Sequence, residues 1–554
     1  MRIGLDAGGT HLDAVLLDES GVRATAKVPT NHSSLIESVL EALSEILRTA
    51  DTEKIECINL STTLSTNALL EGKTDPVGVI VSGGPGIDPS GHRIGDDYHV
   101  VDGAIDHRGK EIIPLDGAQL QRAIAVCRER SIDAFAVVAK FSPRNPAHEQ
   151  HMEASLEGSG AFITAGHRLS GRLNFPRRIT TAYFNSAVSR VFSAFADAVE
   201  AGVRKLTPRS RINVLKADGG TMSLSDARAR PVQSILSGPS ASVLGIIGLC
   251  DIAHDAVLLD IGGTTTDIAL LAEGTPLLVP DGIMLCGRLS CVRALLTKSI
   301  PVGGDSLLSV HNGEIAVGPE RKGPCMALGG PAPTLMDACN HLGLSALGNT
   351  KASSEGLCSL GGDPSSVARS AFARAIDAVH RAATDLLSHV NERPVYTVYE
   401  VLHPVAIAPR HLYIVGGPAK PLAPALEDAF QLPVTVPVFY THAGALGAAA
   451  ARTTRDIELF ADTERGVKII PQLSLTAEAS SSYALPDAER DARELLCSMI
   501  AGQGDAVACD VQVLSSTSFN MIRNGRLAGK NIRVQCQLRP GLVDAYRAAM
   551  RGCI

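Results

Sequence analysis

The chain has 554 residues, a formal net charge of −7, 45% hydrophobic residues and 4% aromatic residues. This length suffices for two or three domains with sizeable cores, and the negative charge, without a basic tail or stripe, argues against nucleic acid as a partner. No apolar run reaches membrane-spanning length and no signal peptide precedes the first apolar segment, so we expect a cytoplasmic protein with no membrane partner.

Two apolar runs joined by Gly8-Gly9-Thr10 occupy residues 2–17, with Asp6 at the end of the first run and Asp13 inside the second. Alternating apolar residues around a Gly-Gly pair predict a β-hairpin, because glycine adopts positive φ in a tight turn without steric cost. Backbone N–H groups at such a tip can converge on an anion, and a threonine hydroxyl adds a donor. One such hairpin is consistent with a phosphate site and also with a plain turn.

Helical and strand patterns alternate in the segment that follows. Helical spacing of apolar residues predicts helices over 33–48, capped by Ser33 or Ser34, and over 120–130. Short apolar runs predict strands over 55–60, 77–81 and 135–139. The stretch 61–72 is polar first and helical afterwards, which is typical of a capped helix start. This alternation predicts an α/β fold.

The first hairpin motif recurs later in the chain. Residues 258–271 contain Asp260-x-Gly262-Gly263-Thr264-Thr265-x-Asp267, which has the same internal spacing as the segment from Asp6 to Asp13. A duplicated supersecondary unit explains this repeat. The β-branched residues after the glycines predict a returning strand, whereas the Rossmann fingerprint and the P-loop both lead into a helix. Two facing hairpins would clamp a polyphosphate and its metal from both sides.

This paired arrangement resembles the actin, Hsp70 and sugar-kinase superfamily of nucleotide-binding proteins. The resemblance implies two ribonuclease-H-like (actin-like ATPase) subdomains, which we place at residues 1–178 and 179–455, with ATP and Mg²⁺ between the hairpins. It also implies that Gly416-Gly417, between a predicted strand over 412–415 and a short helix over 425–430, lies against adenosine, because glycine lets backbone approach the ring closely. A plain turn is the alternative. Helices over 363–390 and 442–450 complete the second subdomain.

The pattern of predicted strands and helices changes from residue 456 onward. Strands over 467–473, 511–514 and 531–538 and a helix over 486–500 predict a small α+β domain at residues 456–554, which we assign to subunit contact. The twelve cysteines are scattered without zinc-ligand spacing, so we expect buried or free thiols in a reducing compartment.

Several motifs, in order along the chain, resemble the alpha-type subunit of the hydantoinase/5-oxoprolinase family. Their segments are Ser61-Thr62-Thr63-x-x-Thr66-Asn67-Ala68-Leu69-Leu70-Glu71, residues 175–185 with Arg178 and Asn185, Asp218-Gly219-Gly220-Thr221, Ser237-Gly238-Pro239-Ser240-Ala241, and residues 317–338. The chain departs from the family pattern at His11-Leu12, where Phe-Thr is usual, at Ser61, where a histidine is usual, and at Asp305, where a longer run of glycines is usual.

The family resemblance implies an ATP-dependent amidohydrolase component that phosphorylates and opens a cyclic amide, such as a hydantoin, 5-oxoproline or a related lactam. It implies a beta-type partner subunit and an oligomer. Under this resemblance Asp6 and Asp260 are catalytic and hold Mg²⁺, while Thr62, Thr63 and Asn67 contact substrate. The nucleotide-binding residues are Gly8, Gly9, Thr10, Gly262, Gly263, Thr264, Thr265, Gly416 and Gly417. The alternatives are an ATP-dependent carboxylase component and a non-catalytic nucleotide-gated scaffold.

Overall fold

The structure is a computed structural model that describes residues 1–31, 34–48, 50–392, 406–500 and 509–552. Within these residues the strands form four larger sheets and four two-stranded ribbons. No helix in the described ranges is long and apolar enough to cross a lipid bilayer. The proposed cap Ser33 lies outside these ranges, and Ser34 precedes the first helix without a side-chain capping bond.

The N-terminal hairpin forms the centre of a six-stranded mixed sheet. Its strands are β1 (Arg2–Ala7), β2 (His11–Asp18), β3 (Gly21–Pro29), β4 (Cys57–Thr62), β11 (Arg211–Leu215) and β12 (Thr221–Ser223). Their order is β12-β11-β4-β1-β2-β3. The hairpin is antiparallel with Asp6 opposite Asp13, and β4 runs parallel to β1 with Ser61 beside Asp6. Two of these strands follow residue 178, and the division of the chain at 178 and 455 stays a prediction.

The second hairpin forms the centre of a sheet with the same plan. Its strands are β13 (Ala256–Ile261), β14 (Thr266–Ala272), β15 (Thr275–Pro276), β20 (Thr297–Ile300), β23 (His411–Val415) and β24 (Val434–Thr435). The order is β15-β14-β13-β23-β24, and β20 also pairs with β14. Asp260 lies opposite Asp267 in the antiparallel hairpin, and β23 runs parallel to β13 with Val415 beside Asp260. The predicted α/β class and the duplication of the hairpin unit are confirmed.

A separate four-stranded sheet is entirely parallel. Its strands are β5 (Val77–Ser82), β6 (Asp97–Val100), β9 (Ala134–Ala139) and β10 (Phe162–Ala165), in the order β10-β9-β5-β6. The predicted strands over 77–81 and 135–139 are confirmed. The ribbons pair β7 (Ala104–Ile105) with β8 (Glu111–Ile113), β16 (Leu278–Val279) with β19 (Ala294–Leu295), β17 (Met284–Leu285) with β18 (Arg288–Leu289), and β21 (Leu308–His311) with β22 (Glu314–Val317).

The C-terminal region forms an antiparallel sheet with the order β27-β26-β25-β29-β28. Its strands are β25 (Asp456–Asp462), β26 (Val467–Ile470), β27 (Leu475–Glu478), β28 (Val511–Arg523) and β29 (Arg526–Leu538). Strand β25 was not among the strands predicted for this region. In the fold Glu458 is buried against Arg533 at 2.6 Å, and Asp462 is buried against Arg108 at 3.2 Å. Arginines from elsewhere in the chain therefore make a charged segment part of the sheet core.

Sixteen α-helices surround these sheets in the described residues, together with 3₁₀ turns. The helices are α1 (Leu35–Leu47), α2 (Leu64–Leu70), α3 (Gly117–Glu129), α4 (Ala147–Leu156), α5 (Gly166–Leu169), α6 (Phe175–Ala187), α7 (Ser189–Leu206), α8 (Leu224–Ala229), α9 (Ser237–Leu249), α10 (Leu335–His341), α11 (Thr350–Cys358), α12 (Pro364–Asn391), α13 (Ala419–Phe430), α14 (Ala443–Ala450), α15 (Leu485–Ile500) and α16 (Asp544–Arg551). Helix α13 is longer than expected, because Pro424 is accommodated inside it.

Helices α9 and α14 share one buried core with strands of both hairpin sheets. They cross at backbone distance: a Cβ on Gly245 would lie 2.0 Å from the carbonyl oxygen of Ala443, and one on Gly447 would lie 2.0 Å from that of Ala241. A Cβ on Gly4 of β1 would lie 1.9 Å from the carbonyl oxygen of Ala445. Glycine is required at these positions because any side chain would push the elements apart.

The sequence predicts that the cysteines are buried or free thiols, and this prediction is wrong for one pair of cysteines. Cys497, near the end of α15, forms a disulfide with Cys509, which precedes β28. The sequence spacing could not indicate this, because the two cysteines meet only when the helix packs against the C-terminal sheet. The free cysteines among the described residues are Cys57, Cys127, Cys250, Cys286, Cys291, Cys325, Cys339, Cys358 and Cys536.

We expect Gly447→Ala to destabilise the protein, because the added methyl would collide with the backbone of α9. Overpacking of this kind costs about 1–3 kcal/mol, and we expect the midpoint of thermal unfolding to fall accordingly. Gly117→Ala is the matched control, since a Cβ at this first residue of α3 meets no atom within 4 Å. Equal midpoints for the two variants would contradict the proposed role of the helix crossing.

Candidate active site

The two hairpin tips face each other in the fold. A Cβ on Gly9 would lie 3.3 Å from Oγ1 of Thr264, and a Cβ on Gly263 would lie 2.6 Å from Cγ2 of Thr10. Each glycine therefore lies against the threonine of the opposite tip. The contact is reciprocal, as expected for two copies of one unit related by an approximate two-fold arrangement.

Both turns close with the same backbone hydrogen bond. The N–H of Gly8 donates to the carbonyl oxygen of His11 at 3.0 Å, and the N–H of Gly262 donates to that of Thr265 at 2.9 Å. The tips are partly accessible rather than buried. Backbone N–H groups without large side chains in front of them can therefore approach a ligand held between the tips.

Asp6 is half-buried at the end of β1, between β4 and the start of α14. Its Oδ2 atom lies so close to the helix that a Cβ on Gly444 would be 1.9 Å away. The pKa of Asp6 is raised to about 7, mainly by burial and also by the negative charges of Asp13 and Asp260, while the Ser61 hydroxyl lowers it in part. The contribution of Asp260 means that the two hairpin carboxylates are near enough to repel each other.

Asp260 occupies the equivalent place at the end of β13. The Ser242 hydroxyl of α9 donates a hydrogen bond to its Oδ2 atom. On its other side, a Cβ on Gly416 would lie 2.7 Å from Oδ1 and 2.2 Å from the carbonyl oxygen of Ile261. Burial raises the pKa of Asp260 above its ordinary value, and the Ser242 hydrogen bond lowers it in part.

The predicted Gly416-Gly417 turn joins β23 to α13. Gly416 has φ +93°, a conformation that other residues rarely adopt, and its N–H donates to the carbonyl oxygen of Tyr440 at 2.8 Å. A Cβ on Gly417 would meet no atom within 4 Å, and this residue is exposed. One glycine is thus needed for packing against Asp260, and the other leaves the backbone open to a ligand.

The second aspartate of each hairpin contacts neighbouring strands. The Lys27 ammonium lies 2.8 Å from Oδ1 of Asp13, and the Ser299 hydroxyl donates to Asp267. Burial, together with the charge of Asp260, raises the pKa of Asp267 to about 7. Asp13 and Asp267 therefore hold strands β3 and β20 to their hairpins.

Two of the three predicted substrate residues lie beside the first tip. The Thr63 hydroxyl donates to the carbonyl oxygen of Ala7 at 3.4 Å, and the Asn67 amide donates to the Thr63 hydroxyl at 3.3 Å. Thr62 is instead buried, and its N–H donates to the Ser237 hydroxyl at 3.1 Å. Thr62 stays a predicted substrate contact, although the residue is only 1% exposed in the structure.

Other residues of the family-like motifs are structural. Arg178 is fully buried and donates to the carbonyl oxygen of Ala139 at 2.9 Å, and its guanidinium lies 3.3 Å from Glu149. Asn185 is also fully buried and donates to the Thr164 hydroxyl at 3.0 Å. These motif positions maintain the parallel sheet and do not reach the hairpin tips.

Sequence reasoning missed three residues that contact the site. Ser242 directly follows the family-like motif of α9, Gly444 lies in a helix interpreted only as packing, and Asp305 was noted only as a departure. The N–H of Asp305 donates to the carbonyl oxygen of Gly263 at 2.7 Å. Their role depends on loop and helix contacts between distant parts of the chain, and no spacing pattern in the sequence indicates such contacts.

The residues present fit Mg²⁺ that arrives with a polyphosphate. Mg²⁺ is typically held by one or two carboxylates together with phosphate oxygens, and Asp6 and Asp260 supply two carboxylates. A divalent cation would favour their charged forms, which burial alone disfavours. The described part of the chain contains no group of three or more His, Cys, Asp or Glu side chains that could hold a metal ion.

Comparison with known families supports the assignment made from the motifs. The model "Hydantoinase/oxoprolinase N-terminal region" matches residues 2–160, and the model "Hydantoinase/oxoprolinase" matches residues 178–457. Caprolactamase subunit alpha from Pseudomonas jessenii is 28% identical over 465 residues, which are 75% of this chain and 65% of that subunit. The chain thus spans less than two thirds of the length of this relative.

Solved structures share the fold. Acetone carboxylase in a nucleotide-free structure matches with a TM-score of 0.70 and 16% identity, covering 98% of this chain and 87% of that chain. ATP-dependent caprolactamase from Pseudomonas jessenii matches with a TM-score of 0.67 and 20% identity, covering 97% of this chain and 87% of that chain. At such low identity the likeness concerns the fold alone. Because the two family models together match most of its length, the chain belongs to the hydantoinase/oxoprolinase family.

Proposed function

We propose that this chain binds Mg-ATP between its two hairpin tips and phosphorylates a cyclic amide, as the ATP-dependent component of an amidohydrolase. The observation that carries the proposal is the reciprocal contact of the two Gly-Gly-Thr tips, with Asp6 and Asp260 directly behind them. Relatives named as a caprolactamase subunit and an ATP-dependent caprolactamase support a lactam as the substrate class.

The chemistry explains why an amide hydrolase would use ATP. An amide carbonyl is a poor electrophile because nitrogen donates electron density into it, and the bound nucleotide supplies the phosphoryl group that makes its carbon open to attack. The N–H groups of Gly8, Gly9, Gly262 and Gly263 would orient phosphate oxygens in this scheme. Preorganised donors of this kind need no reorganisation during the transfer.

The two carboxylates have different proposed roles. Asp6 would hold Mg²⁺ and position substrate at the terminal phosphate, and Asp260 would hold Mg²⁺ at the inner phosphates. The hydroxyls of Thr10, Thr264 and Thr265 would add donors to the tips. Gly416 and Gly417 would lie against adenosine. Thr63 and Asn67, beside the first tip, are the proposed substrate contacts, as their polar groups are only half-buried.

The proposal includes a partner and a compartment. The related caprolactamase chain is named as subunit alpha, and the matched region covers only part of it. We propose that a separate beta-type subunit completes hydrolysis in an oligomer and that the protein works in the cytoplasm. The C-terminal sheet would provide part of the subunit contact.

A carboxylase component is the second candidate, favoured by the TM-score of 0.70 to acetone carboxylase. Such an enzyme would phosphorylate a ketone or carboxyl substrate at the same site. A non-catalytic nucleotide-gated scaffold is the third. The polar groups of Thr63 and Asn67 beside the first tip argue against it, because a scaffold needs no substrate contact there.

Mg-ATP should stabilise the folded protein, because a ligand that binds only the folded state shifts the unfolding equilibrium. At a ligand concentration about 100 times the dissociation constant, the free energy of unfolding should rise by roughly 2.7 kcal/mol. Thermal scans with Mg-ATP, with Mg-ADP and with Mg²⁺ alone would measure this. An unchanged midpoint with millimolar nucleotide would refute the nucleotide site.

ATP hydrolysis should increase when the correct lactam or hydantoin is supplied together with the beta-type subunit. The measurement is phosphate release across a panel of cyclic amides, with ketones and carboxylic acids as the comparison set. Stimulation by ketones or carboxylates with bicarbonate, and none by cyclic amides, would favour the carboxylase. A flat rate across all compounds would favour the scaffold.

Asp6→Asn should reduce ATP turnover by about two to three orders of magnitude, the effect of losing one preorganised electrostatic group, while nucleotide affinity changes far less. Asp13→Asn is the control, since Asp13 pairs with Lys27 and would lose only a partly exposed ion pair worth up to about 1 kcal/mol of stability. Wild-type turnover in Asp6→Asn, with loss of turnover in a folded Asp13→Asn, would reverse these roles.

A further inference from the structure

We propose that Arg321 is a phosphate-binding residue of the candidate active site. Its guanidinium pairs with Asp305, and in the proposed exchange it transfers to the terminal phosphate when nucleotide binds. The inference rests on the proposed nucleotide site between the hairpin tips. It assigns a role to Asp305, whose presence at the second tip the proposed mechanism does not use.

Asp305 places a carboxylate at the junction of the two tips. Its N–H donates to the carbonyl oxygen of Gly263 at 2.7 Å, so the loop is anchored on the second tip. A Cβ on Gly263 would lie 2.8 Å from Oδ2 of Asp305 and 3.1 Å from Oγ1 of Thr10. The Asp305 carboxylate and the first tip therefore meet over the same glycine.

Arg321 reaches this junction from a separate loop. Its Nη2 atom donates to Oδ2 of Asp305 at 3.3 Å. Burial is the largest cause that lowers the pKa of His11 on the first tip, and the positive charge of Arg321 is a further cause. The guanidinium is therefore close to both tips, and its side chain is still 27% exposed.

The pairing with Asp305 leaves donors of Arg321 available. The contact uses Nη2, and the buried Nε has no hydrogen-bond partner among the described residues. A guanidinium has five N–H donors in a planar fork that matches two phosphate oxygens. Because the side chain is 27% exposed, the guanidinium end of Arg321 can turn from one carboxylate oxygen to a phosphate.

The negative charges around the tips favour a cation beside Asp305, in addition to the Mg²⁺ proposed at Asp6 and Asp260. Asp6, Asp260 and Asp305 contribute carboxylates where a polyphosphate would bring further negative charge, and the Lys27 ammonium already pairs with Asp13. A phosphate beside Asp305 would be repelled unless a nearby positive charge offset both groups. Arg321 carries that charge at the tips, and an arginine at a transferring phosphoryl group lowers the barrier to transfer.

If Arg321 moves from Asp305 to phosphate, substitutions of Asp305 and Arg321 should change nucleotide affinity in opposite directions. In the proposed exchange nucleotide binding breaks the Asp305 pair, so loss of the Asp305 charge frees the guanidinium and strengthens binding. Loss of the Arg321 charge removes hydrogen bonds to phosphate and weakens binding. If the pair only stabilised the loop, both substitutions would weaken binding together.

The test is calorimetric titration of Mg-ATP and Mg-ADP into the full chain and its variants. We expect Arg321→Gln to weaken Mg-ATP binding about 10- to 100-fold, the effect of losing charge-assisted hydrogen bonds, and Mg-ADP binding much less. Asp305→Asn should bind Mg-ATP more tightly than wild type. Arg374→Gln is the matched control, because Arg374 pairs with Glu314 at 2.7 Å on an exposed surface and should not affect binding.

Each outcome is decisive. A wild-type chain that binds neither nucleotide overturns the proposed nucleotide site and this inference with it. This inference alone is overturned if the wild-type chain binds Mg-ATP and Arg321→Gln binds it with unchanged affinity. It is also overturned if Arg321→Gln loses affinity equally for Mg-ATP and Mg-ADP. Arg321→Lys keeps the positive charge and loses the planar guanidinium fork. It replaces Arg321→Gln in the titration if that variant fails to fold, and we expect it to bind Mg-ATP with an affinity between those of wild type and a charge-free variant. If Arg321→Lys binds Mg-ATP as tightly as the wild-type chain does, the planar guanidinium fork has no role in phosphate binding.

Discussion

The close backbone contact between α9, α14 and β1 is the constraint on which the site depends. Gly245, Gly447 and Gly4 remove the side chains that would otherwise separate these elements. Because the two helices share one core with both hairpin sheets, their crossing sets how far apart the sheets lie. The two tips meet because the helices between their sheets are as close as glycine allows.

The same helices supply the surroundings of the two aspartates. The start of α14 lies against Asp6, and Ser242 of α9 donates to Asp260. Both carboxylates are partly removed from water, and burial is the largest cause that raises the pKa of each. The charge of Asp260 raises the pKa of Asp6 as well, and the charge of Asp13 raises both. A bound cation would favour the charged forms of both carboxylates.

The C-terminal sheet is attached through buried polar contacts and not through an apolar face alone. His167 contacts the Ser474 hydroxyl at 2.9 Å, and Glu149 joins His167 to Arg178 in one buried network. Burial raises the pKa of Glu149, but the His167 and Arg178 charges lower it below its ordinary value overall. Each carboxylate oxygen of Glu149 thus has a partner in the protein interior, and Arg178 belongs to a family-like motif without reaching the hairpin tips.

The sequence by itself determined the hairpins, their duplication and the α/β class, since strand alternation and paired glycines are local properties of a few consecutive residues. It also identified Asp6, Asp260 and both tips as the candidate site. Only the tertiary structure decided that the tips face each other, that Thr62 is buried, and that Asp305, paired with Arg321, lies at the junction of the two tips. The disulfide of the C-terminal region belongs to this second group. Each of these features depends on contacts between residues that are not neighbours in the sequence. Helix crossings and loop contacts bring those residues together, and the spacing of nearby residues does not indicate such contacts.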